Sequence, residues 1–116
     1  IGGTLYRKLG LVKPYATEDP GRQAVTGNEG DLHVFKVPSL RNVARTGPYL
    51  HDGSIESLES VIRIMARHQL GNELSAAQVA SIRTFLEALT GRVDEGLIAR
   101  PELPPSGPST PGPDPS

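Results

Sequence analysis

The chain has 116 residues with 13 glycines, 11 prolines and no cysteine, and its formal net charge is -1. This length allows one small domain, and the balanced charge argues against a general nucleic-acid-binding protein. The lack of cysteine excludes disulfides, thiolate metal sites and a cysteine nucleophile from this sequence. The lack of an apolar run of about 18 residues excludes a membrane-spanning helix. The first residue is not Met and no signal peptide follows, so we expect a processed or truncated chain.

Residues 1–53 are rich in glycine and proline and carry no strong periodic pattern. The i, i+4 spacing of Leu5 and Leu9 predicts one or two helical turns that end at Gly10. Residues 32–37 are an imperfect candidate strand, and residues 39–43 a candidate short helix. Because so long a loop region is unusual in a compact domain, we expect a partner chain, a second domain or a large cofactor to organise it.

Residues 54–70 predict an amphipathic helix. Leu58, Val61, Ile62 and Met65 form an apolar stripe at helical spacing, and Gln69 continues it at i+11 from Leu58. Ser54 or Ser57 is the predicted N-cap, and Gly71 suits the left-handed position after the last turn.

Residues 75–91 predict a second helix. Ser75 and Gln78 have the spacing of a capping box, and Gly91 marks the end. The predicted apolar face consists of Val79, Ile82, Phe85, Leu86 and Leu89. Because the connection to the first helix is short, we expect the two helices to pack against each other.

The proline excess is concentrated at the end of the chain. Seven of the 11 prolines lie in residues 101–116, where Leu103 is the only large apolar residue. Such a segment buries too little apolar surface to offset the entropy lost on ordering. We therefore predict a folded domain over residues 1–100 and an extended or disordered tail over residues 101–116.

Few residues are chemically distinctive. The spacing of His33, His51 and His68 matches no zinc motif, and His51 lies in a turn ahead of the first helix. Met65 is either core filler or a thioether ligand of haem iron. The turn Thr46-Gly47-Pro48 is either an ordinary turn or a source of backbone carbonyls for calcium. These patterns alone leave the alternatives open.

The order of several motifs resembles one family. Residues 35–53, FKVPSLRNVARTGPYLHDG, resemble the stretch F-x-x-P-x-L-R-N-V-x-x-T-x-P-Y-x-H-D/S-G of bacterial di-haem cytochrome c peroxidases. Further matches follow in order: Ser57-Leu58-Glu59, the segment ending in Met65, Gln69-Leu70-Gly71, and residues 74–91. The resemblance covers about residues 1–91 and corresponds to the end of the C-terminal haem domain of that family.

The resemblance implies an all-α, cytochrome c-like fold with short helices and long loops around haem c. It implies that Met65 is an axial ligand of the high-potential haem iron and that His51 lies in the haem environment. It also implies that the backbone carbonyls of Thr46 and Pro48 bind calcium between the two haem domains. The whole enzyme would be a periplasmic homodimer that reduces hydrogen peroxide to water with electrons from a small cytochrome or cupredoxin.

The sequence departs from the family in one respect, because the Cys-x-x-Cys-His motif that attaches the haem is absent. The peroxide-reducing N-terminal haem domain is also absent, so we assign no catalytic residue here and expect the chain alone to be inactive. Two alternatives remain. One is a related di-haem protein-modifying enzyme of the cofactor-maturation type, in which Tyr replaces the axial Met. The other is a haem-free interaction module.

Overall fold

The computed structural model describes residues 3–92, 94–102, 107 and 110–112. In chain order, its elements are β1 (Tyr6–Lys8), α1 (Gln23–Thr26), β2 (Val34–Lys36), α2 (Leu58–Leu70), α3 (Ala76–Ala88) and α4 (Glu95–Ile98). Two single 3-10 turns, Glu29–Asp31 and Val43–Arg45, lie in the connections. None of the described helices is long and apolar enough to cross a membrane.

Both long helices begin where the sequence predicts, and α2 also ends as predicted, but α3 ends at Ala88, three residues before the predicted end at Gly91. The Ser57 hydroxyl accepts the N–H of Ser60 at the start of α2, and Gly71 ends this helix with a φ of 71°. At the start of α3, Ser75 and Gln78 form the complete capping box. These caps satisfy backbone groups that helix ends otherwise leave unpaired.

The core of the described chain lies between α2 and α3. Its buried cluster consists of Leu58, Ile62, Val79 and Leu86, which confirms that the two helices are packing neighbours. Arg83 of α3 contacts Glu59 of α2 at 2.5 Å across the helix pair, and it contacts Glu87 of its own helix at 2.8 Å. The cluster is small, and no side chain in the described ranges is less than 2 % exposed.

The N-terminal half contains a small antiparallel sheet. β1 pairs with β2 in a register that sets Arg7 opposite Phe35. The prediction of helical turns before Gly10 is therefore wrong, because backbone pairing with a distant strand overrides local spacing. The candidate strand at residues 32–37 agrees better with the structure, since β2 lies within that range. The all-α expectation is thus met only in part: the structure consists of helices and a small antiparallel sheet.

The loop after β2 is tied to the end of α3 by Asn42. This residue adopts a left-handed conformation with a φ of 60°, and its side-chain oxygen accepts the N–H of Gly91 at 2.7 Å. Its own N–H donates to the carbonyl of Leu89 at 3.2 Å. The predicted short helix over residues 39–43 is displaced, and the 3-10 turn Val43–Arg45 takes its place. The predicted tail over residues 101–116 lies mostly outside the described residues.

Candidate functional site

Met65 lies in the middle of α2 and is not absorbed by the core. Leu58, Ile62 and Ala66 are 6–8 % exposed, whereas Met65 is 39 % exposed. Met65 follows Leu58 by seven residues and Ile62 by three, so all three share one side of the helix. Its thioether is therefore accessible on a helix whose neighbouring side chains are buried.

The apolar face predicted for α3 is only partly covered. Val79 and Leu86 are buried and Leu89 is partly buried, as predicted, but Ile82 is 36 % exposed and Phe85 is 53 % exposed. The predicted apolar face is therefore only partly buried in this chain, because α2 covers only one side of α3. Together with Met65, they leave apolar surface open on both long helices.

His51 is held at a junction of three segments. Its imidazole stacks on Phe35 of β2 with 4.2 Å between ring centroids. Its Nε2 lies 3.2 Å from the Thr17 hydroxyl and 3.7 Å from the nearer carboxylate oxygen of Asp19. The side chain of His51 is only 15 % exposed. The residue as a whole is exposed, so most of its accessible surface belongs to the backbone. An aromatic stack with two polar partners fixes the ring orientation.

The turn that presents His51 is strained and well bonded. Leu50 has a φ of 70°, which is rare for a branched side chain. Tyr49 and Ile55 close the turn by exchanging backbone hydrogen bonds of 2.7 and 3.4 Å. Hydrogen bonds from the backbone and side chain of Ser54 lower the pKa of Asp52. This turn and residues 16–19 line an open cleft of about 680 Å³.

Thr46 and Pro48 lie in the exposed turn between the Val43–Arg45 3-10 turn and Tyr49. The Thr46 hydroxyl donates back to the carbonyl of Val43 at 3.3 Å, and the Tyr49 hydroxyl donates to the same carbonyl at 3.0 Å. Within the described ranges, no group of three or more His, Cys, Asp or Glu side chains could hold a metal ion. Among the described residues, a calcium ion at this turn would therefore depend mainly on neutral carbonyl oxygens.

The structure does not join the predicted site residues into one cluster. In the described part of the chain, no hydrogen bond, ion pair or ring stack links Met65, His51 or the Thr46–Pro48 turn to one another. His33 adopts a left-handed conformation with a φ of 57°, and its backbone pairs with Leu9 and Pro20. The candidates must therefore act separately or through a group that spans them.

Sequence reasoning gave no role to two residues that make specific contacts in the structure. Phe35 appears in the family-like motif without a role, and the structure makes it the stacking partner of His51. Gln69 is the polar residue on the apolar stripe, and its amide contacts the backbone near β1. A polar side chain at a core-facing position was the one available indication, since such groups are normally hydrogen-bonded.

The residues present fit part of a haem site. A thioether is a soft neutral ligand that binds haem iron and favours the reduced state. Met65 is the only methionine in the sequence, and its exposure leaves the sulfur free to bind. The cysteines that would attach a haem c are not in this sequence, so what the chain offers here is an accessible thioether and part of an apolar wall.

The comparisons with known proteins agree on one family. No family model matches the chain. It is 48 % identical over 113 residues to cytochrome c551 peroxidase of Nitrosomonas europaea, covering 96 % of this chain and 33 % of that protein. It is 41 % identical over 118 residues to cytochrome c551 peroxidase of Pseudomonas aeruginosa, covering 97 % of this chain and 34 % of that protein.

A second group of relatives carries a different name. The methylamine utilization protein MauG of Methylophilus methylotrophus is 36 % identical over 87 residues, covering 65 % of this chain and 26 % of that protein. A crystal structure of a MauG-like protein associated with microbial copper homeostasis matches with a TM-score of 0.62 at 32 % identity, covering 83 % of this chain and 36 % of that chain.

The chain spans about a third of the length of the curated relatives that it matches. Because the matches cover 96 % and 97 % of this chain, they include α2, α3 and the His51 turn. The order of motifs in the sequence, the helix pair with its exposed methionine and the identity to two peroxidases all lead to the same assignment. The chain belongs to the di-haem cytochrome c peroxidase family.

Proposed function

We propose that this chain is the part of a di-haem cytochrome c peroxidase that accepts electrons, with Met65 as an axial ligand of the high-potential haem iron. The whole enzyme would reduce hydrogen peroxide to water in the periplasm, using electrons from a small cytochrome or cupredoxin. The peroxide-reducing haem would lie in an N-terminal haem domain of the same protein, and the full protein would be a homodimer. The chain alone would be inactive.

The observation that carries the proposal is the environment of Met65. This side chain shares one side of α2 with the buried residues Leu58 and Ile62 and yet is 39 % exposed. A thioether ligand stabilises reduced iron and so raises the reduction potential of its haem. A high-potential haem takes electrons from a donor and retains them, which suits an entry point for electrons. Met65 would contribute the ligand, and the exposed Ile82 and Phe85 would contribute apolar surface that keeps water away.

His51 has a supporting role in this proposal. Its ring is fixed by Phe35 and by Thr17, so it would present the same edge to its surroundings in every molecule. A fixed imidazole beside a haem would influence the local charge and hydrogen bonding, which are among the factors that set a haem potential. Thr46 and Pro48 would supply backbone carbonyls to a calcium ion whose remaining ligands come from the other haem domain.

The MauG-like relatives give a second candidate, a di-haem enzyme that modifies another protein. The match to the MauG-like crystal structure favours it. The presence of Met rather than Tyr at position 65 favours the peroxidase, because in the protein-modifying relatives that axial position is expected to be Tyr. The ligand at position 65 therefore separates the two candidates.

The test replaces Met65 with alanine in the haem-loaded protein that contains this chain. We expect the weak red absorption band of methionine-ligated ferric haem to disappear and the reduction potential of that haem to fall. A second variant, Met65→Leu, keeps the volume and the apolar character of the side chain, so it controls for lost packing. An unchanged spectrum and potential in both variants would refute the assignment of Met65 as a ligand.

A further inference from the structure

We propose that Gln69 is a positioning residue for Met65. The amide of Gln69 locks the last turn of α2 onto the segment Lys8–Tyr15 and thereby sets the direction in which the thioether points. This inference rests on the proposed function, because it assumes that Met65 binds iron. It adds a residue that acts through Met65 without contacting the haem.

The last turn of α2 lacks an apolar anchor of its own. The buried residues of the helix are Leu58, Ile62 and Ala66, all of which precede residue 67. Leu70, the last residue of the helix, is 68 % exposed. Hydrophobic burial therefore holds the first two and a half turns, and polar contacts must hold the end. Helix ends fray when nothing holds them.

The side-chain amide of Gln69 supplies two such contacts. Its Nε2 donates to the carbonyl of Lys8 at 3.1 Å, and its Oε1 accepts the N–H of Leu11 at 3.4 Å. One bond needs a donor and the other an acceptor, and a carboxamide offers both at neutral pH. The Lys8 carbonyl and the Leu11 N–H lie on either side of Gly10, so the side-chain amide of Gln69 bridges the turn at Gly10.

The segment that receives these bonds is itself fixed. Leu9 is 9 % exposed, and its N–H donates to the carbonyl of His33 at 2.8 Å. Gly10 has a φ of 76°, and a Cβ at this position would lie 2.6 Å from the backbone nitrogen of Tyr15. β1, which precedes the turn, is paired with β2. The amide of Gln69 therefore ties α2 to a rigid partner.

His68 adds further bonds to the same segment. Its carbonyl accepts the N–H groups of Val12 and Lys13 at 3.0 and 3.1 Å. Its Nδ1 lies 3.0 Å from the carbonyl oxygen of Lys13, so this nitrogen carries the proton and donates. The edge of the ring meets Tyr15 at 5.2 Å between centroids. The bonds from His68 and Gln69 fix both the rotation and the axial position of the helix end.

Gln69 is coupled to Met65 by helix geometry. Residues four apart are neighbours on one helix face, and side chains lean toward the N-terminus. A displacement of the last turn at Gln69 therefore moves the turn that carries Met65. A thioether is a neutral ligand whose bond to iron depends on close placement of the sulfur, so small shifts in the helix would change the fraction of iron that it binds.

The experiment compares three variants of the haem-loaded protein that contains this chain. Gln69→Glu keeps the size of the side chain but replaces the donor to the Lys8 carbonyl with a carboxylate oxygen. Gln69→Leu removes both hydrogen bonds. Glu73→Gln is the matched control, because it breaks an exposed ion pair with Arg67 at the same helix end and removes no hydrogen bond to the segment Lys8–Tyr15. The readouts are the red methionine–iron band, the reduction potential and the far-ultraviolet circular dichroism.

We expect both Gln69 variants to lose most of the methionine–iron band and to lower the potential while retaining helical content, and Glu73→Gln to change neither. If the band and the potential persist in both Gln69 variants, Gln69 does not position Met65. Met65→Leu separates the two hypotheses. If that variant also retains the band, the proposed function fails, whereas if it alone loses the band, only the positioning role fails.

Discussion

The small helix-pair core makes a sharp prediction about two isoleucines. Ile62 on α2 is 7 % exposed, and Ile82 on α3 is 36 % exposed. The substitutions Ile62→Ala and Ile82→Ala make the same chemical change in the interior of a helix. The two side chains differ in how deeply they are buried. The difference between the two losses in the free energy of unfolding therefore measures what burial contributes.

The expected magnitudes follow from that difference. Truncating Ile62 removes buried carbons from the cluster with Leu58 and leaves a cavity, which costs about 2–5 kcal/mol. Alanine has a higher helix propensity than isoleucine, which offsets up to about 0.7 kcal/mol of this loss in stability. Ile82 lies at the surface, so no closed cavity forms, and we expect a net loss below about 1 kcal/mol. A loss of 3 kcal/mol would be roughly a hundredfold change in the folding equilibrium.

The assay is denaturant unfolding of this chain, followed by the helical signal in circular dichroism. We expect Ile62→Ala to lower the free energy of unfolding several times more than Ile82→Ala. In the haem-loaded protein, the loss from Ile82→Ala should grow, because the proposed site covers the open face of α3. Equal losses for the two variants in the isolated chain would refute the placement of the core between α2 and α3.

Two further predictions concern the polar surface and the loops. The guanidinium of Arg67 hydrogen-bonds Glu73 and lowers the pKa of that carboxyl, so the stabilising contribution of this ion pair is present above the unfolded-state pKa of Glu73 and is lost as the pH falls through its lowered folded-state pKa. The thermal midpoint of the parent chain should therefore approach that of Glu73→Gln between about pH 5 and about pH 3, and a constant difference would contradict this. In the haem-free chain, amide exchange should be slow in α2, in α3 and in the segment Lys8–Tyr15 that is bonded to α2, and fast over residues 16–53, and uniform protection would count against cofactor-dependent ordering.

The predictable part of the fold is the part organised by local spacing. The capping motif at Ser75, the αL position at Gly71 and the 3.6-residue stripe of α2 all depend on residues within a few positions of one another. The strand β1 depends on β2, which begins 26 residues after β1 ends. A three-residue exposed strand carries no alternation that could reveal it, so the spacing of Leu5 and Leu9 favoured a helix instead.

The difference between local patterns and distant partners also decides how much of the candidate site could be predicted. Met65 and His51 were identified by resemblance, and no local pattern indicated their surroundings. The partners of His51, Thr17 and Phe35, come from segments 34 and 16 positions away. What the sequence did contain was an inconsistency in α2: Gln69 continues an apolar stripe with a polar side chain.

That inconsistency has a physical explanation in the structure. A buried or half-buried carboxamide is unfavourable unless its donor and acceptor are both paired, and Gln69 pairs both with backbone groups near β1. An apolar residue at this position would bury more hydrophobic surface but would leave the last turn of α2 without these bonds. The helix thus has less apolar contact one turn after Met65 but a fixed end, which suits the role proposed for Met65.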